Sequence, residues 1–218
     1  MADSIIDGPS FGPLEGGAPT GLVILCHGLG SDGFDLIDIA PVWAKAAPHA
    51  LFRAPHAPEA YTGAPMGRQW FPLWDRTPAM VIQGVRVGAA SLSAFIDAEL
   101  ARLKLPTDAY ALMGFSQGAM IALHAGLTHK TPPRAILAYS GRLIDETVLT
   151  TKPATRILLV HGADDQVVPA DSSRDSAAKI TAAGGNVELV ICPRLAHGID
   201  EVGLRAGFRV LREVFATA

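Results

Sequence analysis

Five short apolar runs recur along the chain without the polar–apolar alternation of a half-exposed strand: Leu22–Cys26, Tyr110–Met113, Ala135–Tyr139, Ile157–Val160 and Val187–Ile191. Runs of this kind suit strands covered on both faces, and a sheet so covered is built from parallel strands joined by helices. Ala50–Arg53 is a sixth candidate strand. The intervening segments have helical character over Phe34–Ala46, Thr77–Lys104, Gln117–Thr128, Ser172–Ala183 and Glu201–Phe215. Thr77-Pro78 supplies a capping hydroxyl followed by a proline suited to the first turn, and Gly184-Gly185 supplies a helix stop. The alternation predicts an α/β fold with a mainly parallel central sheet, right-handed crossovers and flanking helices. The Gly- and Pro-rich first twenty residues are expected to form an antiparallel edge hairpin.

Length and charge narrow the function classes. A chain of 218 residues fits one domain spanning 1–218, and 49% hydrophobic with 18% charged residues excludes a disordered chain. The formal charge is −3 with no run of Lys or Arg, which argues against nucleic-acid binding and against an anionic membrane face. The acidic start lacks the basic and apolar regions of a secretory signal, and no stretch approaches the ~18 apolar residues of a membrane span. A cytoplasmic protein without integral membrane association is expected. Cys26 and Cys192 both follow apolar runs and read as buried free thiols in a reducing compartment.

The chemistry concentrates where strands end. Gly114-Phe115-Ser116-Gln117-Gly118 follows an apolar run and opens a helical segment, the strand–turn–helix setting of a nucleophile elbow. A serine hydroxyl needs a base, and the base needs an orienting acid. Downstream, the run ending at Val160 leads into His161-Gly162-Ala163-Asp164-Asp165, and the run ending at Ile191 leads into a loop carrying His197. Hydroxyl, carboxylate and imidazole thus stand in the order of a hydrolase triad at one sheet edge. Spacing alone leaves Asp164 and Asp165 as alternatives for the acid. The Gln117 N–H opens the helix after the serine, and the Leu29 N–H in His27-Gly28-Leu29-Gly30 supplies a second oxyanion donor. The same loop also matches a dinucleotide fingerprint, Gly28-x-Gly30-x-x-Gly33, but no acid stands at the tip of the next strand, only Arg53. His27 and His161 read as loop braces, His124 as a packed helix residue, and His49, His56 and His129 as solvated loop or helix-end residues. No metal-binding pattern is found.

These motifs together resemble the phospholipase/carboxylesterase family of compact serine hydrolases, which includes acyl-protein thioesterases and bacterial carboxylesterases. The resemblance runs from about Gly21 to the C-terminus. It rests on His27-Gly28-Leu29-Gly30, the elbow, His161-Gly162-x-x-Asp165-x-Val167-Val168-Pro169 and His197-Gly198. It implies an α/β-hydrolase fold with little or no lid and no cofactor. It implies Ser116 as nucleophile, Asp165 rather than Asp164 as acid, His197 as base, and the Leu29 and Gln117 amides as oxyanion donors. Two departures stand out: Ala196 replaces a glycine common before the histidine, and Gly67-Arg68-Gln69-Trp70-Phe71 replaces the stretch familiar from acyl-protein thioesterases. The expected activity is cleavage of a small carboxylic ester, with lysophospholipid or thioester cleavage as variants. Met66, Trp70, Phe71, Leu73 and Trp74, in the irregular segment Pro55–Arg76, are expected to line the acyl groove; a homodimer face suits the same aromatics. The rivals are a dienelactone-hydrolase-like enzyme, which carries cysteine in place of Ser116, and a non-catalytic ligand receptor on the same scaffold.

Overall fold

The computed structural model describes residues 7–149 and 155–216; Met1–Ile6, part of the N-terminal segment read above as a hairpin, lie outside them. In chain order the elements are β1 (Ser10–Phe11), β2 (Gly21–Cys26), α1 (Gly33–Ile37), α2 (Ala40–Trp43), β3 (Ala50–Arg53), β4 (Glu59–Ala60), β5 (Arg68–Gln69), α3 (Pro78–Leu103), β6 (Tyr110–Phe115), α4 (Gln117–Thr128), β7 (Ala135–Tyr139), β8 (Arg156–Gly162), α5 (Asp171–Ala182), β9 (Asn186–Cys192) and α6 (Glu201–Phe215). The main sheet runs β1-β3-β2-β6-β7-β8-β9, parallel throughout except for β1.

The inner strands of that sheet are dry on both faces, while β9 at its edge is partly exposed. Successive side chains of a strand point to opposite faces. Val23 and Leu25 pack with Met113, Leu137, Val160, Trp43 and Leu211 on the side of α2 and α6, while Leu22 and Ile24 pack with Leu112, Val85, Leu92 and Ile96 on the side of α3. Ile136, Leu159 and Ile180 continue that second layer towards α5. Polar anchors pin α6 to the first face: Trp43 Nε1 donates to the Leu204 carbonyl at 3.0 Å and Tyr139 Oη to that of Gly203 at 2.9 Å. Among the described helices, α3 is long and apolar enough to cross a bilayer by length and composition. Here Val81, Val85, Leu92, Ile96 and Leu100 lie against the sheet.

Two expectations are corrected. Among its described residues, 7–20, the N-terminal segment supplies one edge strand and no hairpin: Ser10 pairs with Arg53 and Phe11 with Phe52. β2 is flanked on both sides by β3 and β6, so the open edge of β3 is the side left for it. The helix expected over Phe34–Ala46 is split into α1 and α2. Pro41 has no N–H and its ring crowds the carbonyl four residues back, so one helix cannot run through it. The segment Pro55–Arg76 also holds a small antiparallel pair, Glu59 opposite Gln69 and Ala60 opposite Arg68.

Candidate active site

Ser116 sits between β6 and α4 with φ 53° and ψ −116°, a left-handed backbone that costs a non-glycine residue about 1–3 kcal/mol. The surroundings hold it there: its N–H donates to the Tyr139 carbonyl at 2.9 Å, and its own carbonyl accepts from Ala119 at 3.0 Å. Gly118 lets the start of α4 press against the end of β2, since a Cβ there would stand 2.0 Å from the Cys26 carbonyl oxygen. That close approach brings the 27–30 loop beside the elbow. Leu29, Ser116, Gln117 and His197 then line one cavity of about 380 Å³. The Leu29 and Gln117 amides donate to no protein acceptor among the described residues.

Asp165 and His197 arrive on neighbouring loops after β8 and β9. At Gly162 a Cβ would stand 2.3 Å from the carbonyl oxygens of both Leu195 and Ala196, so the two loops can touch only there without a side chain. Asp164 N–H donates to the Leu195 carbonyl at 2.9 Å, while its side chain is exposed. Asp165 is the buried acid, and its Oδ2 lies 2.7 Å from His197 Nδ1. Its Oδ1 accepts the N–H groups of Val167 and Val168 at 2.8 and 2.9 Å. Burial pushes the Asp165 pKa up, but the hydrogen bonds from His197, Val168 and Val167 outweigh it and hold the carboxyl below its ordinary value. A carboxylate only accepts, so Nδ1 of His197 carries the hydrogen and Nε2 is left free to take a proton.

A second imidazole meets the same carboxylate. His161 Nε2 lies 3.1 Å from Asp165 Oδ2 and 2.8 Å from the Val168 carbonyl oxygen, and its Nδ1 lies 2.6 Å from Ser173 Oγ. Both neighbours of Nε2 are acceptors, so that nitrogen carries a hydrogen. The expected loop brace, at the end of β8, is thus also a neighbour of that carboxylate, which its position four residues before Asp165 did not reveal: the chain leaves the strand and turns between the two.

His27 braces the other side. Its Nε2 accepts from Ala57 N–H at 2.9 Å and its Nδ1 donates to the Gly28 carbonyl at 2.8 Å, an arrangement that needs the neutral ring. Burial lowers its pKa to about 4, against a smaller opposing effect of the Gly28 hydrogen bond. The unfolded chain binds this proton near the ordinary histidine value, so the contribution to stability is whole above about pH 6.5 and is lost as pH falls towards about 4. The loss amounts to about 3 kcal/mol. Urea denaturation from neutral to acidic pH should show it, and His27→Gln should have the shallower slope; equal slopes would remove this account.

The wall expected from five apolar residues is differently built. Leu73 lines the cavity with Val81, Met120 and Val167. Trp70 and Phe71 are wholly buried, packed against α3 in the second core layer, with Trp70 Nε1 donating to the His27 carbonyl at 2.9 Å. Met66 and Trp74 are 88% and 79% exposed and do not reach the cavity. Apolarity identifies what avoids water, and the core competes with a substrate groove for such side chains. His129 also departs from expectation: its side chain is buried, edge-on to Tyr110. Arg53 lies 3.0 Å from Glu99 and is also paired with Asp7, so it is engaged within the protein.

Gln117 does more than offer its amide. Its Oε1 accepts from Trp70 N–H at 2.9 Å and its Nε2 donates to the Phe71 carbonyl at 2.7 Å, fastening the 70–71 backbone to the elbow. Gln117→Leu leaves both backbone groups buried without partners, at about 1–3 kcal/mol each. We expect a loss of about 2–6 kcal/mol in urea titrations; a change under about 0.5 kcal/mol would show that water takes over both bonds.

The phospholipase/carboxylesterase family matches residues 15–213. The esterase YpfH of Escherichia coli is 31% identical over 88% of this chain and 82% of its own length. Acyl-protein thioesterase 1 of Schizosaccharomyces pombe is 31% identical over 80% of this chain and 79% of its own. The crystal structure of esterase PE8 superposes with a TM-score of 0.89 at 35% identity, covering 97% of this chain and 99% of that one. The chain belongs to the phospholipase/carboxylesterase family and is an ester-cleaving serine hydrolase on the α/β-hydrolase fold.

Proposed function

We propose that Ser116, His197 and Asp165 carry out two-step hydrolysis of small carboxylic esters, with the Leu29 and Gln117 amides as the oxyanion site. The observation that carries this reading is the 2.7 Å His197–Asp165 contact beside a cavity that Ser116 and His197 share. Ser116 Oγ bonds to the ester carbonyl carbon while its proton passes to His197 Nε2. The two amides receive the negative charge on the carbonyl oxygen, and the positive end of α4 adds to them. Collapse expels the alcohol, which leaves with that proton. Water then adds to the acyl carbon, giving its proton to His197, and collapse releases the acid and returns a proton to Ser116. Asp165 holds the imidazole tautomer and offsets the imidazolium charge through both half-reactions.

A thioester carbonyl meets the same groups, and the fission-yeast relative bears the name of a thioesterase, so thioesters are the second substrate class we propose. Cytoplasmic residence belongs to the same proposal: Cys26 and Cys192 are buried free thiols. A fluorophosphonate should label the intact protein on Ser116 and leave Ser116→Ala unlabelled. An unlabelled wild-type protein would favour the receptor reading and overturn this one.

A further inference from the structure

The walls of the cavity are apolar, but its two permanently charged side chains have one sign. Arg76 and Arg142 both line it, and among the described residues no Asp or Glu does. Seven other arginines of the chain, such as Arg86 with Asp145 and Arg156 with Glu188, lie within ion-pair distance of an acid. Neither Arg76 nor Arg142 does so among the described residues. Arg76 makes one long contact, from Nε to the Leu73 carbonyl at 3.5 Å. Its neighbour Asp75 turns instead to Thr77 N–H at 2.8 Å and lines a different cavity. The whole chain carries −3, so this positive mouth is a local feature.

The backbone that carries Arg142 is also anchored. Arg142 is exposed between two buried residues, Gly141 and Leu143, whose backbones are tied to α5. Ser173 Oγ donates to the Gly141 carbonyl at 2.9 Å, and Leu143 N–H donates to Ser176 Oγ at 2.9 Å. Ser173 and Ser176 are themselves buried. A planar guanidinium with free donors suits the oxygens of a carboxylate or phosphate, and an apolar wall beside it strengthens the attraction.

We propose that the substrate of this site, on the hydrolase reading above, is an ester bearing a second, anionic group, a carboxylate or a phosphate, which Arg76 and Arg142 hold at the cavity mouth while Ser116 receives the carbonyl. The test compares matched substrates by kcat/KM. Monoethyl glutarate against its neutral amide, ethyl glutaramate, places the anion on the acyl side. Monobutyryl glycerol phosphate against monobutyrin places it on the alcohol side. We expect a preference of about fivefold or more for the anionic member of at least one pair, and the responding pair identifies the side. The ratio should move towards parity in the Arg76→Ala/Arg142→Ala protein. It should also shrink in about 0.5 M salt, because both guanidinium groups reach solvent. Arg142→Lys should retain part of it. Parity in both pairs, with neutral esters still turned over in a Ser116-dependent way, overturns the proposal, as does a preference that survives the double substitution. Wild-type protein that hydrolyses none of the four esters overturns the hydrolase reading beneath it instead, and this proposal with it.

Discussion

Ser116→Ala is expected to lower kcat/KM for p-nitrophenyl esters by about 10⁴–10⁶-fold, leaving only the acceleration that binding and the oxyanion amides provide. The substitution is a clean one here. Alanine keeps the β-carbon and therefore the same left-handed backbone at φ 53°, so the strain is retained and the hydroxyl alone is removed. The Ser116 backbone bonds to Tyr139 and Ala119 do not involve the side chain and survive. Thermal unfolding should accordingly change little. A variant retaining activity within about a hundredfold of wild type would assign the nucleophile elsewhere.

Asp165→Asn is expected to cost about 10³–10⁴ in kcat. Four donors surround this side chain: the N–H groups of Val167 and Val168 at one oxygen, and the imidazoles of His197 and His161 at the other. Asparagine must place an NH₂ against one of these pairs. Turned towards the imidazoles, it forces His197 to accept at Nδ1 and carry its hydrogen on Nε2, where it cannot take the Ser116 proton. Turned the other way, it faces two backbone donors with no acceptor. Asp164→Asn, one residue earlier and exposed, should change kcat by no more than about twofold. Equal losses in the two variants would refute the assignment of the acid to Asp165.

That pair of neighbouring acids also shows where sequence reasoning reaches its limit. The spacing after β8 delivers two carboxylates to one loop, and nothing local distinguishes them; family resemblance selects Asp165. In the fold, the β9 loop lies against Gly162, and this contact determines which acid is covered and faces His197. The aromatic segment tells the same story. Trp70 and Phe71 share an apolar character with Leu73, but α3 and the Gln117 amide draw the first two into the core while Leu73 is left at the cavity. Arg76 and Arg142 carried no local signal. They stand on connections far apart in the chain, unremarkable until the cavity joins them.

Sequence alone encodes the six parallel strands, most of the helices and the elbow turn, because each follows from short-range pattern: short, mostly apolar runs for strands of a covered sheet, a proline or paired glycines at helix ends, and glycines flanking a strained serine. It also determined the order of hydroxyl, acid and imidazole along the chain. Only packing settled which apolar side chains line the cavity, which imidazoles share the Asp165 carboxylate and which arginines, among the described residues, lie away from every acid. These depend on distances between residues far apart along the chain, and burial and pairing exist only once the elements have packed.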